Sequence, residues 1–377
     1  MPGLDDVHAG YLPLLDGAVL VTAARLGFAE DHGIRLHLHR EMSWATIRDR
    51  MGVGHFDCAH MLAPMAIAAN LGIAPLSAPV VAPMVLALGG NAVTVSPLLA
   101  ELMAETGWRD DGPAAAGMAL AKALVRLERS ASRRGRFAVV HAHSCHNYDL
   151  RYWLAACGIE PDREVDITVV PPPLMPDAIA SGQIDGFCVG EPWSTIAVRR
   201  GAGRIVTTKA EIWRRSPEKV LGVSARFAAE RPEVLDRLIR ALHDAAVWCD
   251  ASEHHAELAD LLADAGHIGV APRDLVPALT GLLEVAPGEA QSIEDFMIFA
   301  ADDANRPRLS DGFWMLSQMV RWRQVTESDA ARHAVRTVFR PDLYDKALSL
   351  EPSDSAIKEA TLNDQNHWPE GLFDRSK

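Results

Sequence analysis

Between Asp57 and Glu101 the chain carries no Asp, Glu, Lys or Arg. A run of that kind belongs either inside a bilayer or inside a packed core, because both exclude unpaired charge. A spanning helix needs roughly 20 continuous apolar helical residues. Pro64, Pro75, Pro79, Pro83 and Pro97 interrupt every candidate window, since proline removes a helix N–H and clashes with the preceding turn. The stretch therefore reads as core: a helix over 60–71 and one or two buried strands over 80–95, with no insertion into a membrane.

The flanking sequence alternates strand and helix. Residues 33–39, Gly-Ile-Arg-Leu-His-Leu-His, alternate as a strand with one exposed face does. Further strands are expected over 7–11, 56–59, 136–141, 166–170 and 184–189, and 204–208 is expected to return the chain to the first lobe. Helices are expected over 14–28, 44–52, 98–106, 113–133, 147–157 and 176–181. From Pro232 onward the pattern is mostly helical, with helices over 234–249, 256–265, 273–283, 312–324 and 328–338. Two crossings, near 93 and 206, predict an α/β protein of two parallel-sheet lobes. Lobe I comprises 1–93 and 206–377, including a helical C-terminal extension; lobe II comprises 94–205; a ligand cleft lies between them. A chain of 377 residues is long enough to give each lobe its own core.

Charge narrows the partners. The formal net charge of −13 argues against direct nucleic-acid binding, because phosphate repels such a surface. It also weakens long-range attraction of an anionic ligand, so an anion site must depend on local donors and a local cation. Five cysteines, Cys58, Cys145, Cys157, Cys188 and Cys249, are odd in number and widely spread, which suits reduced thiols. The opening Met1-Pro2-Gly3-Leu4-Asp5-Asp6 lacks the basic start and apolar run of a secretory signal. A cytoplasmic location is expected from it, or a periplasmic one if the true start lies upstream with an export signal.

Four places join a strand end or loop to a helix start, where ligands of open α/β sheets bind and where free N–H groups favour anions. Ser43 caps a helix whose opening turn holds Trp44; its indole N–H can donate to a ligand, or the ring is ordinary packing. His146 precedes the helix over 147–157 and can donate a hydrogen bond. His141, His143 and His146 also allow a metal reading, but no carboxylate or thiolate accompanies them at ligand spacing. Gly190 lets a backbone N–H approach a ligand closely and Pro192 fits a helix N1 position, as in any strand-to-helix turn. Lys219 falls between a turn and an apolar strand, as a ligand cation or as a lysine snorkelling from a strand end. The sequence holds no GxSxG, no Gly-rich phosphate loop, no HExxH and no paired-carboxylate motif. Donors with one cation describe a receptor for a small anion, neither an enzyme nor a cofactor protein.

Several segments together resemble the nitrate-binding proteins of bacterial nitrate transporters and their soluble sensor relatives. They are Ser43-Trp44, the segment from Phe56 to Met65, Arg151-Tyr152-Trp153-Leu154-Ala155-Ala156, Val169-Val170-Pro171-Pro172-Pro173, the segment from Asp185 to Trp193, and Pro217-Glu218-Lys219. The likeness runs from the N-terminus to about residue 250 and more loosely through Trp314 to Arg323. It implies a periplasmic-binding-protein-like (type II) fold. By motif it places the anion contacts on Trp44, Asn91, His146, Gly190 and Lys219. Asn91 departs from the family, which has glutamine there, and Ala92 stands for a following glycine. His146 sits in an altered local sequence, with its five-residue distance to Arg151 kept. In the bicarbonate-binding branch the lysine region looks adapted to a calcium ion by acidic substitution; Lys219 supplies charge itself, so no metal is implied.

Combined with the missing export signal, the resemblance implies a nitrate/nitrite sensor of assimilation regulation, which releases an RNA-binding ANTAR-type antiterminator when ligand binds. The alternative is the solute-binding component of a nitrate ABC transporter. The pyrimidine-synthesising branch of the fold, which uses iron and a sacrificial histidine, is disfavoured because its cysteine cluster is absent.

Overall fold

The computed structural model describes residues 3–76, 78–350 and 372. Expectations for Met1 and Pro2 and for the end of the C-terminal extension fall outside the described residues. Among the described residues the chain divides into two compact units, one of residues 3–76, 78–88, 217–270 and 298–350, the other of 89–216, 271–297 and 372. The crossings thus fall at 88/89 and 216/217, where the sequence suggested 93/94 and 205/206, and 271–297 goes with the second unit.

In chain order the strands are β1 (Asp5–Tyr11), β2 (Ile34–Arg40), β3 (Cys58–Leu62), β4 (Val80–Gly89), β5 (Asn91–Val95), β6 (Gly135–Val139), β7 (Val165–Val169), β8 (Gly186–Gly190), β9 (Arg204–Thr208) and β10 (Pro217–Ser224). A hairpin of β11 (Leu282–Ala286) and β12 (Glu289–Ser292) follows. With β13 (Met297–Ile298) as a two-residue edge strand, the first sheet runs β13-β4-β10-β3-β1-β2, and the second β7-β6-β8-β5-β9.

Neither sheet is purely parallel, which corrects the sequence reading. In the first unit β1 runs parallel to β2 and β3, but β10 is antiparallel to β3 and β4. In the second, β6 is parallel to β7 and β8, while β5 is antiparallel to β8 and β9. Strands joined through a helix on the sheet's own face must run parallel. β5 and β10 are instead the strands on which the chain enters a unit, so that constraint does not bind them.

The charge-free stretch resolves into core, as its composition requires. Every residue of β3, β4 and β5 is buried, the pattern of strands covered on both faces. The helix between them, Ala63–Asn70, starts beside Pro64, and Asn70 Nδ2 closes its end by donating to the carbonyls of Ala66 at 3.0 Å and Val80 at 2.8 Å. The expected helix over 60–71 therefore begins three residues late. His60 and Met61 lie on β3, where pairing with Leu221 and Val220 of β10 holds them extended. Among the described residues no helix is long and apolar enough to cross a membrane.

The later helices are Pro232–Asp250, His255–Ala263, Pro272–Thr280, Leu309–Arg321, Asp329–Val338 and Pro341–Leu348. The helix expected over 273–283 stops at Thr280 because Gly281 takes φ +69°, and its end becomes the hairpin β11–β12. All five cysteines are free; Cys157 is half-buried and the others are buried.

Candidate functional site

In the first unit Ser43 caps the helix Trp44–Gly52, its side chain accepting from the Thr46 amide at 3.2 Å. That cap sets Trp44 in the first turn, buried, with no hydrogen-bond partner for its Nε1. Lys219 lies in β10 opposite Leu62, wholly buried, so the surface-lysine alternative falls. Its ammonium sits 5.4 Å from the centroid of the Trp44 ring. The structure therefore brings Trp44 and Lys219 together.

The sequence did not reveal what else surrounds that ammonium. Lys219 Nζ donates to Asp16 Oδ2 at 2.8 Å and to Glu218 Oε1 at 2.9 Å, and both carboxylates are as buried as the lysine. His60 Nε2 lies 2.9 Å from the other Asp16 oxygen, and the imidazole sits 5.2 Å from the Trp44 ring, centroid to centroid. Burial alone would raise Asp16, but the Lys219 ammonium and His60 outweigh it and hold the carboxyl below its usual range. Burial pulls Lys219 down, yet Asp16 and Glu218 carry it above the ordinary lysine value. For His60 burial wins over the pull of Asp16, and the imidazole is kept below its ordinary value. Asp16 was legible in one respect: it is a carboxylate inside the apolar run Leu14 to Ala24, which demands a buried partner.

In the second unit Asn91 opens β5 directly opposite Gly190 of β8, both buried. His146 is expected just before a helix; it is instead the second residue of one, because Ser144 is the N-cap and the helix is Cys145–Ala156. Its side chain is fully buried. His141 and His143 stand ring to ring at 5.7 Å. Among the described residues no three His, Cys, Asp or Glu side chains form a group able to hold a metal ion. Pro192 precedes the helix Trp193–Arg199 as its N-cap instead of occupying N1, after a cis Glu191–Pro192 bond.

Glu191, next to Gly190, is a second residue the sequence did not single out. Its amide donates to the Gly90 carbonyl at 3.0 Å, and its Oε2 accepts from the Thr195 amide at 3.1 Å. Its Oε1 is buried without a hydrogen-bond partner. Burial pushes the carboxyl up to about 7, only partly opposed by Thr195. A further buried pair, Lys209 Nζ to Asp149 Oδ2 at 2.7 Å, ties the turn after β9 to the helix Cys145–Ala156. Chemically, the first unit offers an indole N–H beside an ammonium, and the second offers amide, imidazole and backbone groups. Both sets are made up of hydrogen-bonding groups, and in the first the ammonium is already shared with Asp16 and Glu218.

Residues 2–263 match the model of the NMT1-like family. A nitrate import ATP-binding protein, NrtC, from Synechocystis sp. is 34% identical over 92% of this chain and 50% of its own length. A bicarbonate transport ATP-binding protein, CmpC, from the same organism is 34% identical over 86% of this chain and 47% of its own. The chain thus spans about half the length of these two relatives. The crystal structure of the periplasmic nitrate-binding protein NrtA from Synechocystis PCC 6803 superposes with a TM-score of 0.85 at 26% identity, covering 94% of this chain and 91% of that one.

Proposed function

Because the chain belongs to the NMT1-like family and has an α/β fold of the periplasmic-binding-protein type, we propose that it binds nitrate or nitrite through Trp44, Asn91, His146, Gly190 and Lys219. The observation that carries this reading is the buried Trp44 Nε1, a donor with no protein acceptor, beside the Lys219 ammonium. An orphaned buried donor is costly unless a ligand uses it. Nitrate is flat, with its charge spread over three oxygens, and suits several in-plane donors. Three or four charge-assisted hydrogen bonds of about 1.5–3 kcal/mol each reach micromolar affinity, about −8 kcal/mol, after the costs of association. Similarity to the periplasmic nitrate-binding protein NrtA supports the same ligand.

In the cell the chain acts as a cytoplasmic sensor that holds an ANTAR-type antiterminator and releases it when nitrate binds. The second reading, the solute-binding part of a nitrate importer, is supported by likeness to a periplasmic protein. Isothermal titration with nitrate, nitrite and bicarbonate on wild type and Lys219→Ala tests the ligand: nitrate binding lost in the variant is expected, and retained affinity overturns the site. Gel filtration with the antiterminator tests the role, since a complex left intact by nitrate removes the sensor reading.

A further inference from the structure

The charges around Lys219 do not balance for an anion. One ammonium faces two carboxylates, Asp16 and Glu218, at 2.8 and 2.9 Å, and burial favours neutral His60. The cluster therefore sums to about minus one before any ligand arrives, in surroundings where such a charge repels strongly. We propose that an oxyanion bound beside Trp44 and Lys219 brings a proton with it, taken from solvent onto the His60 imidazole. The inference rests on the anion-binding reading above and adds its proton stoichiometry.

The geometry selects His60 among the groups present. The charged and titratable groups facing it are Asp16, from the turn Leu15–Gly17, and Glu218 and Lys219, from β10; the helix Trp44–Gly52 contributes the uncharged Trp44 ring. Protonating Asp16 or Glu218 would replace an acceptor of the Lys219 ammonium by a neutral acid. Protonating His60 costs no existing bond. Neither of its ring nitrogens has a well-directed hydrogen bond, and Nε2 already stands 2.9 Å from Asp16 Oδ1. An imidazolium there turns that contact into an ion pair and brings the cluster to zero, leaving the ammonium and the indole N–H for the anion. Proton uptake and anion binding then favour each other by the same factor, as linkage requires.

The test is nitrate titration calorimetry on the whole chain in buffers of different ionisation enthalpy. At about pH 8 the dependence of heat on buffer is expected to report about one proton taken up per nitrate. The dissociation constant should rise about tenfold per pH unit above the imidazole range. His60→Gln should bind nitrate without uptake and without that pH dependence. Asp16→Asn, which neutralises the cluster by removing a carboxylate, should also lower uptake, and it decides the matter if His60→Gln does not fold. Nitrate binding by wild type with no proton uptake, or uptake unchanged in the variants, overturns the inference alone. No nitrate binding in any buffer overturns the proposed function and this inference with it.

Discussion

Replacing Glu191 by glutamine keeps the shape of the side chain and deletes its titration. In the native protein the carboxyl is buried at 1% exposure, with one oxygen accepting from the Thr195 amide at 3.1 Å and the other unpartnered. Burial moves its titration from the ordinary 4.5 to about 7. The folded chain therefore holds this proton more tightly than the unfolded chain does. The associated stability is fully present below about pH 4.5 and is lost as pH rises through about 7. At 1.36 kcal/mol per pH unit, the whole loss is about 3 kcal/mol, as an order of magnitude. Glutamine can still accept from Thr195, so the variant lacks the titration but keeps the hydrogen bond. Urea unfolding of both proteins between about pH 4.5 and 8 should show the variant gaining on wild type by about 3 kcal/mol across the range. A stability difference that stays constant with pH would refute the argument that this carboxyl is buried and protonated.

Lys219→Ala should leave Asp16 and Glu218 buried around an absent ammonium and cost about 3–5 kcal/mol in denaturant unfolding; an unchanged midpoint would contradict the buried three-way pairing. Trp44→Phe keeps a ring but removes a donor that no protein group accepts, so stability should change by less than about 1 kcal/mol while nitrate affinity falls roughly tenfold or more. Equal affinity by calorimetry would place the indole outside the ligand site. Gly281→Ala meets both a φ of +69° and the Ile293 carbonyl oxygen 2.8 Å from the new Cβ, and should cost about 1–2 kcal/mol in thermal unfolding.

Much of the architecture was legible because local signals were strong. Ser43 before Trp44 is a cap whose hydroxyl does accept from the amide three residues on. Arg204–Thr208, expected to return the chain to the first lobe, is instead an edge strand of the second sheet, paired with β5. Strand direction was not legible, since β5 and β10 show the same local pattern whichever way their neighbours run. The hairpin β11–β12 was hidden because Leu282 and Leu283 continue a helical spacing that only Gly281 breaks. At the site, donor-bearing residues were nameable from motif and position. The pairing of Asp16 with Lys219 was not, because the two lie 203 residues apart in sequence and no local rule joins them, while Glu218, though adjacent to Lys219, gave no sign that both would be buried.

The prolines of the uncharged stretch have a consequence for the unfolded chain as well. Aggregation needs short strand-forming windows of low charge without proline, and natural sequences usually guard such windows with charged gatekeepers. Here no charge is available between Asp57 and Glu101, so Pro79 and Pro83 ahead of and within β4, and the positive-φ pair Gly89–Gly90 after its apolar run, supply the interruptions. With valine at both prolines, residues 78–88 would become one unbroken apolar run, ready to pair with copies of itself before β10 could claim it. The interruptions in this part of the chain therefore come from punctuation in the backbone, where many natural sequences use charge.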